Sequence, residues 1–368
     1  MSGSAIKRRY LRLLGLAAMV LASCIPQAHS AQVRQRPLPV TQPAAPTADA
    51  TAQRILDARI RELGRSFAGV VGIAVRDVET GWTTSWNGER YFPQQSVSKF
   101  WVAITAFQAV DAGQLDLAQP VTLRREDLTL FHQPIASQVG ANGYQTTIGE
   151  LIFRALTQSD NTANDFVLRR AGGPQAVRAM LEQFEIEGIR FGPGERLMQS
   201  QIAGLQWQPS YSVGRAFYTA RSGVPLERRR AAFQRYVDDP IDGATPIGLV
   251  DGLTRLRQGE LLSPRSTERM LSIMSQTRTG RQRLTGGLAP GWRIAHKTGT
   301  GQVLGSTQAG YNDIGILTSP VGRHYAVAVM IGRTSAPIPD RMALMQDVTR
   351  AVIAFDGNRR GGGGTFSR

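Results

Sequence analysis

The sequence predicts an α/β (α+β) fold: an antiparallel sheet flanked by helices and built from both chain ends, with an all-helical subdomain inserted between them. Strand-like runs cluster near the two ends, at Val70 to Val78 and Trp82 to Trp86, then at Trp292 to Lys297, Asp313 to Leu317 and Tyr325 to Ile331. The stretch between them reads as helix. With 42% hydrophobic and 19% charged residues, a chain of 368 residues has enough apolar surface for one large domain or two ordinary ones.

The N-terminus has a basic start (Lys7, Arg8, Arg9, Arg12), an apolar run from Leu13 to Leu21 and then small residues. Residues 1–30 therefore read as an export signal, too short to span a bilayer. Two processing routes fit: a cut after Ala28-His29-Ser30, or lipid attachment at Cys24, because Leu21-Ala22-Ser23-Cys24 resembles a bacterial lipoprotein box. Cys24 is the sole cysteine of the chain, so the mature protein is expected to lack disulfides, thiol catalysis and thiolate metal sites. It is expected in the periplasm, either free after the first cut or, by the second route, held through a lipid on Cys24 as its one membrane attachment.

Residues 31–51, rich in Pro, Ala, Thr and Gln, read as an extended linker. The Gly-rich, basic residues 358–368 read as a disordered tail. The folded domain is expected at 52–357, with its sheet-bearing parts at about 52–90 and 246–357 and its helical part at about 91–245.

Within that domain, Leu56, Ile60, Leu63 and Phe67 fall at i, i+4, i+7 and i+11, the stripe of an amphipathic helix. A hairpin around Glu79-Thr80-Gly81 follows. Val97 to Ala112 is apolar nearly all round, and Thr147-Ile148-Gly149-Glu150 has the form of a capping box. Further helix starts are expected at Pro174, Thr245-Pro246 and Ser263-Pro264, and a last helix near Arg341 to Phe355. There is no internal repeat.

The formal net charge is +15, with four of the positive charges in the signal. A basic surface suits nucleic acid, an anionic envelope or a carboxylate-bearing substrate. Nucleic acid is set aside, because no basic helix is interleaved with aromatics and an exported protein rarely meets DNA. Arg228-Arg229-Arg230 reads as a solvated face. Four histidines, none paired at ligand spacing, argue against a metal. No cofactor is expected, and the partner that remains is a small molecule bound by a monomer.

Chemistry enters at Ser96-Val97-Ser98-Lys99, at the entry to the apolar helix. Residues three apart share a helix face, which brings the Ser96 hydroxyl within reach of the Lys99 amine. Burying an amine favours its neutral form, which can accept the serine proton. A serine at a helix N-terminus also has a backbone N–H free to face an oxyanion. The pattern alone is weak, since Ser4-Ala5-Ile6-Lys7 repeats it inside the signal. Ser159-Asp160-Asn161 and Lys297-Thr298-Gly299-Thr300 follow in order, the latter on an expected strand. Each is again weak singly, as Ser85-Trp86-Asn87 fits the looser form of the second motif, but the ordered set is specific.

In these motifs the chain resembles the class A β-lactamases, a family of penicillin-recognising serine hydrolases. The likeness runs from about Ala52 to Phe355 and includes Phe92-Pro93-Gln94-Gln95, Ala171-Gly172-Gly173-Pro174, Ala244-Thr245-Pro246 and Asn312-Asp313-Ile314-Gly315. The resemblance implies a β-lactamase/transpeptidase-like fold and a β-lactam substrate, with Ser96 attacking the lactam carbonyl beside Lys99. It implies that Ser159 relays a proton to the departing nitrogen and that Asn161 holds the substrate's side-chain amide. Lys297, Thr298, Gly299 and Thr300 would bind the substrate carboxylate, and the backbone N–H groups of Ser96 and Thr300 would form the oxyanion hole.

Deacylation separates the activities this family likeness allows. A hydrolase releases its acyl-enzyme roughly a hundred-thousandfold faster than a penicillin-inhibited peptidoglycan enzyme, about 7 kcal/mol of barrier. In class A enzymes the base is the glutamate of an E-x-x-L-N motif, which is absent here in that form. Its place is taken by Glu195-Arg196-Leu197-Met198-Gln199, which keeps the acid and an apolar residue three on. Glu195 is expected to be the general base, and Gln199, an amide on a longer arm, its partner in holding water. The competing reading makes Glu195 a surface residue of the loop marked by Gly192-Pro193-Gly194. Glu182, Glu185 and Glu187 are spaced like a helix exterior.

From Gln199 to Thr245 the chain is much longer than the family's omega loop, with Trp207, Tyr211, Phe217 and Tyr218 inside the extra piece. It reads as packing helix, with lining of the site as the alternative. His296 is expected to modulate Lys297, while the arginine that often supports the substrate carboxylate is not settled between Arg333 and Arg341. A zinc β-lactamase is excluded. Two other activities stay open: a penicillin-binding D,D-peptidase or transpeptidase acting on peptidoglycan peptides with slow deacylation, and a tethered envelope-binding protein.

Overall fold

The computed structural model describes residues 47–359. The signal segment with Cys24, the linker up to Pro46 and the tail from Arg360 lie outside the described residues. Helix α1 (Ala48–Ser66) starts at the Thr47 hydroxyl, which accepts the N–H of Ala50 at 3.2 Å. Its first turn falls within the stretch read as linker, because Thr47 supplies a cap and Ala52 is already buried. Leu56, Ile60 and Leu63 face the core as their spacing requires. Strands β1 (Val70–Asp77) and β2 (Thr83–Trp86) make the expected hairpin, and β3 (Phe92–Pro93) leads into the helical part.

That part contains α2 (Lys99–Asp111), a hairpin of β4 (Pro120–Leu123) and β5 (Tyr144–Thr147), α3 (Ile148–Thr157), α4 (Asn161–Arg170) and α5 (Gly173–Gln183). It continues through α6 (Glu195–Ile202), α7 (Ala216–Gly223) and α8 (Leu226–Asp238) to β6 (Gly243–Ala244). Strand β6 pairs with β3, Phe92 opposite Ala244, so the insertion is closed at its neck by a short ladder. The apolar residues of α2 from Phe100 to Phe107 are buried, which is why that helix is apolar all round. Thr147 caps α3 by accepting the Glu150 N–H, but the Glu150 carboxylate turns to Arg154 and leaves the capping box half made.

Helices α9 (Pro246–Gln258) and α10 (Pro264–Met274) begin on Thr245 and Ser263 caps with proline just inside. Strands β7 (Arg293–Thr300), β8 (Val303–Leu304), β9 (Thr307–Thr318) and β10 (His324–Thr334) precede α11 (Ile338–Arg359). Helix α11 takes in Asn358 and Arg359, read above as tail, because the carboxylates of Asp49 and Asp77 hold the Arg359 guanidinium. The antiparallel sheet has the order β2-β1-β10-β9-β7, with β8 on β9. One face, with Val71, Ile73, Val327 and Val329, packs with α1 and α11; the other, with Ala326, Ala328 and Met330, shares a core with the helical part. Burial on both faces explains the near-continuous apolar strands.

Candidate active site

Ser96 lies on a single 3-10 turn, Gln95–Ser98, that leads into α2. Such a turn eclipses residues three apart, and Lys99 Nζ lies 2.8 Å from Ser96 Oγ. Gln95 sits in the left-handed region at φ 53, held there by its N–H donating to Asp242 Oδ2 at 2.7 Å. Phe131 and Ser159, both at φ 60, share that strained conformation and line the same cleft as Ser96.

Lys99 is buried, and its side-chain nitrogen lies against three oxygens: Ser96 Oγ, Asn161 Oδ1 at 2.9 Å and a Glu195 carboxylate oxygen. Glu195 is itself only 2% exposed, so it is not a surface residue of the Gly-rich loop. Gly194, at φ 99 and ψ 166, takes a backbone conformation open to glycine and so starts α6 on Glu195. Asp165 of α4 holds that start: its Oδ1 accepts the Glu195 N–H at 3.1 Å and its Oδ2 that of Arg196 at 3.4 Å. Burial, and then the Glu195 charge, push the Asp165 carboxyl above its ordinary pKa. Sequence reasoning missed Asp165; its signal was the position four residues after Asn161, on the same helix face.

Gln199, one turn beyond Glu195, donates from Nε2 to Glu195 Oε2 at 3.1 Å and to Gln95 Oε1 at 2.9 Å. Its own Oε1 accepts from Gln302 Nε2 at 3.0 Å, so every edge of the amide is engaged. The bonds continue into the long segment: Gln95 Nε2 donates to the Tyr236 hydroxyl on α8, which donates to Asp242 Oδ2 at 3.2 Å. The extra piece therefore packs and also supports the site. Phe233 and Tyr236 bury Met198 and Ile202 of α6, and Phe217 packs with Leu130.

Burial raises the Asp242 carboxyl to about 7 and pushes the Tyr236 phenol well above its ordinary value. Asp242 Oδ1 is buried without a hydrogen-bond partner among the described residues. An acid with a raised folded pKa holds its proton more tightly folded than unfolded. Its contribution to stability is full below the unfolded pKa and is lost as pH rises through about 7. Asp242→Asn is therefore expected to remove about 3 kcal/mol of the stability loss between roughly pH 5 and pH 8. Urea unfolding of both proteins at the two pH values measures it; identical pH dependence would refute this.

Lys297 on β7 is buried, with Nζ 3.0 Å from Ser159 Oγ and 2.8 Å from the Thr298 carbonyl. Burial, and then the Lys99 charge, hold its pKa well below the ordinary lysine value. Asp160 caps α4 through the Ala163 N–H at 2.9 Å and ties in the Ile135 N–H at 2.7 Å. Asn161 is anchored by Nδ2 donating to the Leu130 carbonyl at 2.9 Å. Thr298 Oγ1 lies 2.6 Å from Thr279 Oγ1. Any Cβ on Gly299 would stand 2.4 Å from the Gln94 carbonyl oxygen, so glycine lets β7 press against the turn bearing Ser96.

Thr300 Oγ1 accepts from Arg283 Nη2 at 2.6 Å. Arg283 also donates to the Gly299 and Asn312 carbonyls, at 3.0 and 2.6 Å, and its guanidinium carbon lies 3.8 Å from the Tyr311 ring centroid. Arg283 is thus the arginine of this cleft wall. Arg341 is committed to the Ala336 carbonyl and Gln308, and Arg333 is exposed on β10. The His296 ring lies 2.9 Å from Asp313 Oδ1, on the strand face opposite Lys297. The cleft, of about 640 Å³, brings together Ser96, Ser159, Asn161, Gln199, Arg283, Thr298 and Thr300, with His132 and Arg221 also on its walls. Lys99, Glu195 and Lys297 lie buried behind it.

A model of the β-lactamase enzyme family matches residues 55–355. The β-lactamase VEB-1 of Pseudomonas aeruginosa is 25% identical over 284 residues, covering 76% of this chain and 83% of that protein. The extended-spectrum β-lactamase PER-1 of Pseudomonas aeruginosa is 27% identical over 266 residues, covering 72% and 75%. The solved structure of an ancestral class A β-lactamase superposes with a TM-score of 0.63 at 28% identity, over 81% of this chain and 99% of that one. The chain belongs to the β-lactamase enzyme family, in its class A branch.

Proposed function

We propose that the protein hydrolyses β-lactams through an acyl-enzyme on Ser96 that Glu195 deacylates. The observation that carries this is the buried carboxylate of Glu195, in contact with Lys99 and bonded by Gln199. Ser96 Oγ attacks the lactam carbonyl as its proton passes to the Lys99 amine, and Glu195 stays a carboxylate. The backbone N–H groups of Ser96 and Thr300 receive the oxyanion. The carbon–nitrogen bond then breaks, and Ser159, hydrogen-bonded to Lys297, gives its proton to the nitrogen and takes in return the one held by Lys99, which is neutral again. Thr298, Thr300 and Arg283 hold the substrate carboxylate. Glu195 then takes a proton from water, the hydroxide attacks the ester, and the proton returns to Ser96 Oγ as the product acid leaves.

A D,D-peptidase needs the same three motifs but not a buried acid at Glu195. The reading goes with a periplasmic monomer, either free or anchored through Cys24. Rapid mixing of the mature protein with a chromogenic cephalosporin tests it. Sustained turnover is expected. A burst of one equivalent followed by no steady state would overturn hydrolysis in favour of the slow-deacylating peptidase.

A further inference from the structure

Resting on the β-lactam reading, we propose that Arg221 makes the enzyme select substrates whose acyl side chain carries a second carboxylate. Arg221 belongs to α7, within the extra segment, and lines the cleft together with Ser96, Asn161 and Gln199. Its guanidinium carbon lies 5.5 Å from the Tyr218 ring centroid and 5.8 Å from that of Phe217. Phe217 is buried and meets Phe131 edge-on at 4.9 Å, and Phe131 itself lines the cleft. An arginine resting against two rings that are themselves packed edge-on is held in place before any ligand arrives.

Among the described residues the Arg221 side chain enters no ion pair, and the neighbouring charge that lowers its pKa is that of Arg229. Burial and Arg229 lower its pKa, yet a guanidinium stays cationic at neutral pH. A half-buried cation facing a cleft with no counter-charge is stabilised by whatever anion enters.

The position relative to the second arginine names that anion. Arg283 stands on the sheet wall, bonded to Thr300, where the carboxylate common to β-lactams is read to bind. Arg221, on α7 of the helical insertion, lines the same cleft as Asn161 and Gln199, where the acyl side chain is read to lie. Two cations in one cleft, one bonded to Thr300 and one on the helical insertion, match a dianion with one carboxylate on the fused ring and one on the acyl group.

Benzylpenicillin and its α-carboxy derivative differ by that one group. Steady-state kinetics of the mature wild type, Arg221→Gln and Arg221→Lys on both substrates test the proposal. The Gln variant is expected to lower the ratio of kcat/KM for the carboxy derivative over benzylpenicillin about tenfold, through KM. The Lys variant should recover part of that ratio, since it keeps the charge but not the planar fork. An unchanged ratio would overturn the proposal, whether both rates fall together or neither moves, and would place Arg221 in the fold or at the common carboxylate. Absence of turnover of either penicillin by the wild type would instead overturn the β-lactamase reading itself.

Discussion

Replacing Glu195 by glutamine is expected to lower kcat for a β-lactam about 10²–10⁴-fold while substrate remains bound covalently to Ser96. Glutamine fills the same buried space, and its amide oxygen can still accept the Gln199 N–H that now reaches Glu195 Oε2 at 3.1 Å. What it cannot do is take a proton from water. Intact-mass spectrometry during turnover should show the protein increased by the mass of the substrate. Undiminished turnover would remove Glu195 from deacylation.

Replacing Ser96 by alanine should abolish the same turnover, about 10⁶-fold, and leave no adduct at all. Both variants are therefore nearly inactive, but intact mass separates them. The Ser96 hydroxyl is bonded to Lys99, and that amine keeps Asn161 and Glu195 as partners when the hydroxyl is gone. The variant should fold with a stability within about 1 kcal/mol of wild type, measured by urea unfolding. An adduct on the Ser96→Ala protein would assign the nucleophile to another residue.

Much of this molecule was legible one element at a time. The stripe at Leu56, Ile60 and Leu63, the caps at Thr147, Thr245 and Ser263, and the apolar runs of β7, β9 and β10 rest on neighbours in sequence, where periodicity and capping act. The three motifs could be ordered for the same reason. Boundaries were less secure, since the first turn of α1 and the last of α11 depend on a cap and on the Arg359 ion pairs.

The sequence by itself determined the fold class and the helical insertion, and it singled out Ser96, Lys99, Ser159, Glu195 and Lys297 as candidates. The tertiary structure alone decided how they are held. Asp165 under the start of α6, Arg283 on Thr300, the β3–β6 neck and the path from Glu195 through Gln199 and Gln95 to Tyr236 all join residues distant in the chain. Local spacing carries no signal for such contacts, because their geometry is set by which elements pack together. Arg221 is the sharpest case: in sequence it is one arginine among many on a basic segment, and only the packing of Phe217 on Phe131 brings it to the cleft.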